Sequence, residues 1–418
     1  MNKHWKIIAP LLLLLISGAI FVVYKQDLLG SHTSIQKISD TSDGSMQSYL
    51  QQAQQLSTSN QSATTTVTFL AVGDIMLSRD IAVEIQKSGS ADSPFLGMAD
   101  VLRGTDFNFA NLEGPVAPTV KDEVIGGNSL TFGDASSSLQ GLKDFNFQII
   151  NLANNHAWDQ GLGGIDATIK TLDKLGIAHE GTGDNLDQAW TPAIVAANGI
   201  KICFVGAAYG TNTGGSEAAQ YVAEIADVTH LKSAIATAKS ECDFVVATMH
   251  AGTEYTRTPN QQQITFAHTA IDDGADIVIG AHPHWVQPIE KYCPSASPPL
   301  PPGEDVPMQR GTGEGADNCS NPKYIFYSLG NFIFDQDFSQ DTMQGLTLKI
   351  TISKNSSQNP LAPGAATSDD LQGQRQFATL DSIQLLPVII QNSQARPATA
   401  DEEKNILNKI GQTENTLK

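Results

Sequence analysis

The chain has 418 residues, 40% of them hydrophobic and 17% charged, the ordinary make-up of a globular protein with room for one large domain or two smaller ones. Its formal net charge of -19 excludes a nucleic-acid partner of the usual kind, because phosphate binding needs a concentrated basic surface. An anionic partner would be repelled unless a metal ion or a local basic patch intervened.

The first six residues, "MNKHWK", carry Lys3 and Lys6 and precede "IIAPLLLLLISGAIFVV", residues 7 to 23, which hold no charge. That run is slightly shorter than the roughly 20 residues of a spanning helix and longer than the usual core of a signal peptide. With no A-x-A site and no lipobox cysteine after it, an uncleaved transmembrane anchor is favoured over a removed signal peptide. The lysines would keep residues 1 to 6 in the cytoplasm, giving a single-pass protein of the cell membrane with its main domain extracytoplasmic. Residues 24 to 65, as in "QSYLQQAQQLSTSNQSATTT", are too polar to bury a core and read as a disordered stalk.

From residue 66 short apolar runs alternate with amphipathic stretches. The runs are "TVTFLAVGD", "FNFANLE", "FQIINLANNH", "IKICFVGAAYG", "CDFVVATMHAG", "DIVIGAHPH" and "YIFYSLGNFIF". Helix-like segments cover 164 to 176, 230 to 241 and 261 to 274. This alternation predicts an α/β layered fold over 66 to 418. Near the end "LTLKITIS" and "FATLDSIQLLPVIIQ" alternate like antiparallel strands and read as an added sheet edge rather than a new domain. Cys293 and Cys319 bracket a Pro- and Gly-rich loop that a disulfide would close, whereas Cys203 and Cys242 lie in apolar runs and read as core packing.

The chemistry is written at the strand ends. The runs deliver Asp74, Glu113, Asn155 with His156, His250, and finally His282 with His284. In a parallel sheet these ends converge on one cleft. Two carboxylates, an amide and several imidazoles suit Zn, Mn or Fe, whereas calcium takes nearly all-oxygen shells. Such a site supports Lewis-acid activation of a water. Singly, each residue also reads as a turn, a cap or a packed side chain; the joint pattern is what points to a metal.

A second tier surrounds these. Arg79 reads as a bidentate clamp on an anionic substrate group or as a surface arginine at a helix start. Asp159 reads as an acceptor orienting His156 or as a cap on the helix near Gly164. Asn331 reads as a substrate-binding amide or a turn residue, and Glu254 belongs to the same tier. His4, His32, His179, His230 and His268 fall outside the pattern and read as structural or surface histidines.

The ordered segments "AVGDIMLSR", "NFANLEGPV", "NLANNHAWDQG", "MHAGTEY", "GAHPHWVQPIE" and "YSLGNFIF" resemble the motifs of the CapA family, bacterial capsule-synthesis proteins associated with poly-γ-glutamate. The resemblance covers about residues 66 to 335. It implies the four-layer α/β sandwich of the calcineurin-like metallophosphoesterases and a site for one or two divalent ions. Asp74 and His284 would hold the first ion, Glu113 would bridge, and Asn155, His250 and His282 would hold the second. His156 would be the general acid or transition-state stabiliser, with Asp159 behind it.

The implied function is a metal-dependent, phosphatase-like hydrolase site in poly-γ-glutamate or capsule biosynthesis. Its partners would be poly-γ-glutamate or another anionic polymer and a membrane synthase complex. The alternatives are a non-catalytic accessory subunit binding the polymer or its synthase, and a phosphoesterase unrelated to capsule. The chain departs from the phosphoesterase pattern where Met76 stands in place of the histidine of Asp-x-His, and where Glu113 replaces an aspartate.

Overall fold

The computed structural model describes residues 64 to 294, 319, 321 to 355 and 377 to 417. The membrane placement expected from residues 7 to 23 is corrected: no helix among the described residues is long and apolar enough to cross a membrane. The run itself, and the expected stalk up to residue 63, lie outside the described residues.

Four strands open the fold: β1 (Thr64–Ile75), β2 (Phe107–Leu112), β3 (Phe147–Asn151) and β4 (Ala178–Glu180). They run parallel in that order. A second sheet follows, built from β5 (Ala193–Ala197), β6 (Ile200–Ala208), β7 (Phe244–His250), β8 (Ile277–Ala281), β9 (Ile289–Tyr292) and β10 (Lys323–Phe326). Its spatial order is β5-β6-β7-β8-β10-β9, with β6, β7, β8 and β10 parallel.

The chain then returns to the first sheet. β11 (Asn331–Ile333) lies parallel to β1, while β12 (Gln344–Asn355) and β13 (Thr379–Gln391) add the antiparallel edge that their alternation predicts. β14 (Gln394–Pro397) and β15 (Thr416–Leu417) both pair with β13.

Among the described residues, five helices of ten residues or more cover the sheets: α1 (Arg79–Ser88), α2 (Gly161–Leu175), α3 (Val228–Glu241), α4 (Gln261–Asp272) and α5 (Ala400–Lys409). Local chemistry sets their ends. Asn260 and Gln263 form a reciprocal capping box on α4, and Thr399 with Glu402 does the same for α5. Gly176 closes α2 with φ 67°, a left-handed turn that costs glycine nothing.

Packing follows from strand parity. Phe69, Phe107 and Phe109 of the first sheet meet Phe204, Phe244 and Ile277 of the second in a dry core between the sheets. Phe109 stacks on Phe204 with ring centroids 5.3 Å apart, a geometry that adds about 1 kcal/mol to simple burial. Leu70, Val72 and Ile150 face outward and pack against Ile81 of α1 and Leu172 of α2. Val205, Ala247 and Val278 pack likewise against Leu231 of α3 and Phe266 of α4. The result is an α/β sandwich of two sheets with helices on both outer faces.

Both cysteine pairs are bridged. Cys293 joins Cys319 as expected. Cys203 and Cys242 are fully buried, but core packing is not their whole role, since they too form a disulfide. Cys242 caps α3 just before β7, and the parallel pairing of β6 with β7 brings its Cα to 5.7 Å from that of Cys203 on β6.

One buried carboxyl lies apart from the strand-end cluster. Glu180 accepts a hydrogen bond from Thr248 Oγ1 at 2.5 Å, while its Oε2 has no partner. Burial pushes its pKa up from 4.5 to about 8. An acid raised in this way is neutral in the fold and ionised in the unfolded chain, so stability falls as pH climbs from about 4.5 and the cost is complete above about 8. Glu180→Gln is therefore expected to change little at pH 4 and to stabilise the protein by a few kcal/mol (~2–4) at pH 9. Urea unfolding at the two pH values tests this, and equal effects at both would refute it.

Candidate metal centre

The parallel strands carry their C-terminal ends to one edge, and both sheets contribute there. Asp74 lies at the end of β1, Glu113 follows β2, and Asn155 with His156 sits on the loop after β3. His250 ends β7, and His282 and His284 follow β8. All seven are buried. The β8 loop is shaped for this, since His282 and His284 take φ of 100° and 56° on either side of Pro283. Side chains rarely adopt such values, and strain of this kind concentrates at functional sites.

The atoms face one another at separations suited to sharing an ion. His250 Nε2 lies 2.8 Å from Asn155 Oδ1 and 3.2 Å from His282 Nδ1. Glu113 Oε1 is surrounded by His156 Nε2 at 3.8 Å, His250 Nε2 at 3.8 Å and His284 Nε2 at 3.7 Å. A divalent ion holds such ligands at about 2.0–2.2 Å, which sets its ligands roughly 3–3.7 Å from each other.

Glu113 supplies the test of fit. Its side chain is fully buried and neither oxygen has a hydrogen-bond partner, a costly arrangement for a carboxylate unless a cation completes it. Asp74, Glu113 and His250 offer ligand atoms all within 4.8 Å of one another. This buried Asp-Glu-His cluster can hold a metal ion.

The electrostatics agree. Burial, then the neighbouring Asp74 and Glu254, raise the Glu113 pKa well above the carboxylate range. Burial lifts Asp74 to about 7, against hydrogen bonds from Asn111 and the His282 N–H. Burial and the adjacent imidazoles lower His282 to about 3 and His250 well below its usual value, and burial takes His284 to about 4. The imidazoles are thus neutral at pH 7, the form that binds metals, and an ion would displace protons from the carboxyls.

Behind this cluster, His156 Nδ1 lies 2.7 Å from Asp159 Oδ2, which also accepts the Phe132 N–H at 2.7 Å. The His156 ring stacks on Phe132 at 3.9 Å. Arg79 takes φ 50° and sends its fork to Asp335, with Nε 3.0 Å from Oδ2, so its guanidinium is engaged inside the protein. Asn331 is fully buried against His284 rather than at a turn surface. Glu254 is exposed. Met76 lies in the core, and its sulfur accepts the Ser78 N–H at 3.2 Å and the Ser78 Oγ–H at 3.1 Å.

Asn111 and Asn151 lie outside the strand-end pattern that the sequence shows. Asn111 Nδ2 donates to Asp74 Oδ1 at 2.7 Å and lies 3.1 Å from His250 Nδ1, while its Oδ1 accepts from Asn151 Nδ2 at 2.9 Å. The available signal was an asparagine inside an otherwise apolar strand, which must find partners when buried.

Residues 68 to 336 match the family model described as bacterial capsule synthesis protein PGA_cap. The PGA biosynthesis protein CapA of Bacillus subtilis (strain 168) is 31% identical over 286 residues, covering 68% of this chain and 67% of that one. The capsule biosynthesis protein CapA of Bacillus anthracis is 27% identical over 280 residues, covering 66% and 61%. A Mycobacterium tuberculosis protein described as "Probable polyglutamine synthesis accessory protein" is 29% identical over 157 residues, covering 34% and 40%. The chain therefore spans about two thirds or less of the length of these relatives. Since the matched span runs from within β1 to beyond Asn331 and holds the whole strand-end cluster, the chain belongs to the bacterial capsule synthesis protein PGA_cap family.

Proposed function

We propose that the protein acts in poly-γ-glutamate or capsule synthesis through a metal-dependent hydrolase site of the calcineurin-like metallophosphoesterase type. The layered order of helix, sheet, sheet and helix supports that fold type. The observation that carries the site reading is Glu113, whose oxygens are both unpartnered and whose Oε1 lies 3.7 to 3.8 Å from imidazole nitrogens of three histidines. Asp74 and His284 on one side, Asn155, His250 and His282 on the other, and Glu113 between them would hold one or two ions of Zn, Mn or Fe. Such ions supply Lewis-acid polarisation of a phosphoryl or acyl group and of a water.

The protein's own residues do the rest. His156 moves a proton at Nε2 to the leaving group, while Asp159, 2.7 Å from Nδ1, orients the ring. Phe132 fixes the plane of that ring by stacking. The partner is poly-γ-glutamate, another anionic polymer or the synthase that makes it, and ions in the cleft would make it locally attractive to an anion despite the net charge of -19.

A second reading, a non-catalytic accessory subunit binding the polymer or its synthase, is favoured by two observations. Met76 is packed in the core where related sites place a ligand, and the Arg79 fork is taken by Asp335.

Elemental analysis of the gently purified protein tests the site, with one to two equivalents of transition metal expected and a marked loss in His250→Ala and His282→Ala. No metal, and no uptake of added Mn²⁺ or Zn²⁺, would sink it. Assays on phosphoesters and on poly-γ-glutamate then separate the readings. Cleavage of neither by the loaded protein favours the accessory subunit, and cleavage of phosphoesters alone favours a phosphoesterase unrelated to capsule.

A further inference from the structure

Asn331 lies next to the centre, and its hydrogen bonds can be oriented without ambiguity. Its Nδ2 donates to the backbone carbonyl of Thr342 at 2.9 Å and to Gln336 Oε1 at 3.1 Å. A backbone carbonyl only accepts, so the amide nitrogen must face it, and Oδ1 must face the other way. In that direction lies His284 Nδ1, 2.8 Å from Oδ1. An acceptor at that distance requires the proton on Nδ1, which leaves the lone pair on Nε2. His284 Nε2 is the atom 3.7 Å from the unpartnered Glu113 Oε1.

The backbone makes this pairing rigid. Asn331 opens β11, in parallel register with Asp74 on β1. On the other side, Gln287 N donates to Ser328 O at 3.1 Å and Val286 bridges Leu329, tying the His284 loop to the chain just before Asn331. Gln336 continues the network outward, its Nε2 donating to the Tyr255 hydroxyl at 3.2 Å, while the Tyr255 ring stacks over His284 at 5.9 Å. The imidazole is held through its ring edge and from its face.

We propose that Asn331 is a positioning residue that locks His284 in the Nδ1–H tautomer and so presents the Nε2 lone pair to the ion bound beside Glu113. This rests on the metal-site reading, but it assigns Asn331 to the protein's own ligand rather than to substrate. Partners of metal-bound imidazoles fix tautomer and orientation, and their loss lowers affinity by roughly 10- to 100-fold.

The test begins on the metal-free protein. Long-range ¹H–¹⁵N correlation spectra distinguish a protonated ring nitrogen from one with a lone pair, and the His284 signal is identified by its absence in His284→Gln. The wild type is expected to show Nδ1–H. Asn331→Leu should shift His284 towards the Nε2–H form and weaken Zn²⁺ binding about 10- to 100-fold in calorimetry. Asn331→Asp retains an acceptor oxygen and should retain the tautomer.

A wild-type His284 protonated on Nε2 would overturn the assignment, and so would an Asn331→Leu protein with unchanged tautomer and Zn²⁺ affinity. If Asn331→Leu does not fold, the wild-type spectrum still decides. An Nδ1–H tautomer in a protein that takes up no Zn²⁺ supports the role of Asn331 while sinking the metal reading, so the two failures are distinguishable.

Discussion

Glu113→Gln is expected to raise the stability of the metal-free protein and to abolish high-affinity Zn²⁺ binding. The wild-type carboxyl is buried without a hydrogen bond, and its pKa is raised well above the usual range, chiefly by burial. The neutral acid is therefore the favoured native form. Above the ordinary carboxylate pKa of 4.5 the unfolded chain ionises first, so the cost of this residue grows as pH rises.

Glutamine keeps the shape and removes the charge. The gain in unfolding free energy should be on the order of 1–3 kcal/mol at pH 9 and smaller at pH 5. Losing the central anionic ligand should cost at least about 100-fold in Zn²⁺ affinity, a larger effect than loss of a supporting partner. Urea unfolding in chelator and calorimetry with Zn²⁺ measure the two quantities. A variant that is no more stable at pH 9, or that binds Zn²⁺ as tightly as the wild type, would show that Glu113 is not held in readiness for a cation.

Gly73→Ala is expected to be among the most damaging single-methyl changes in the molecule. A Cβ at Gly73 would lie 1.8 Å from the carbonyl oxygen of Gly330 and 2.9 Å from its carbon. Neither atom belongs to a side chain that can swing away. The same carbonyl accepts the Asp74 N–H at 3.0 Å, so relief requires β1 and β11 to part. Parting them moves Asp74 and Asn331 together, because the two residues are in register. A destabilisation of about 3–5 kcal/mol is expected, together with weakened metal uptake. A variant with wild-type melting behaviour and metal content would mean that the strands yield at that point.

How much of this was readable from the chain follows from the range of each signal. β7 and β8 are buried on both faces and read as continuous apolar runs. β12 and β13 were legible from the alternation in "LTLKITIS" and "FATLDSIQLLPVIIQ". The short strands β4, β9 and β14 did not, because three or four residues do not establish a period.

The strand-end residues were legible because parallel pairing makes their convergence a rule rather than an accident. Their supports were not. Asn331 meets His284 across 47 positions and Arg79 meets Asp335 across 256, pairings that no local pattern encodes. The bridge between Cys203 and Cys242 was illegible for a related reason, since a core cysteine in an apolar run looks the same whether or not it is bridged.

The centre draws Asp74, Glu113 and Asn155 from the first sheet and His250, His282 and His284 from the second. A divalent ion held there is also a cross-link between the two halves of the sandwich. Its binding energy becomes folding energy, about 4 kcal/mol when the free ion stands at a thousand times its Kd. Were the site filled, the lifetime of the folded chain would follow the supply of metal, the ion adding to the core of Phe69, Phe109 and Phe204 that already joins the sheets.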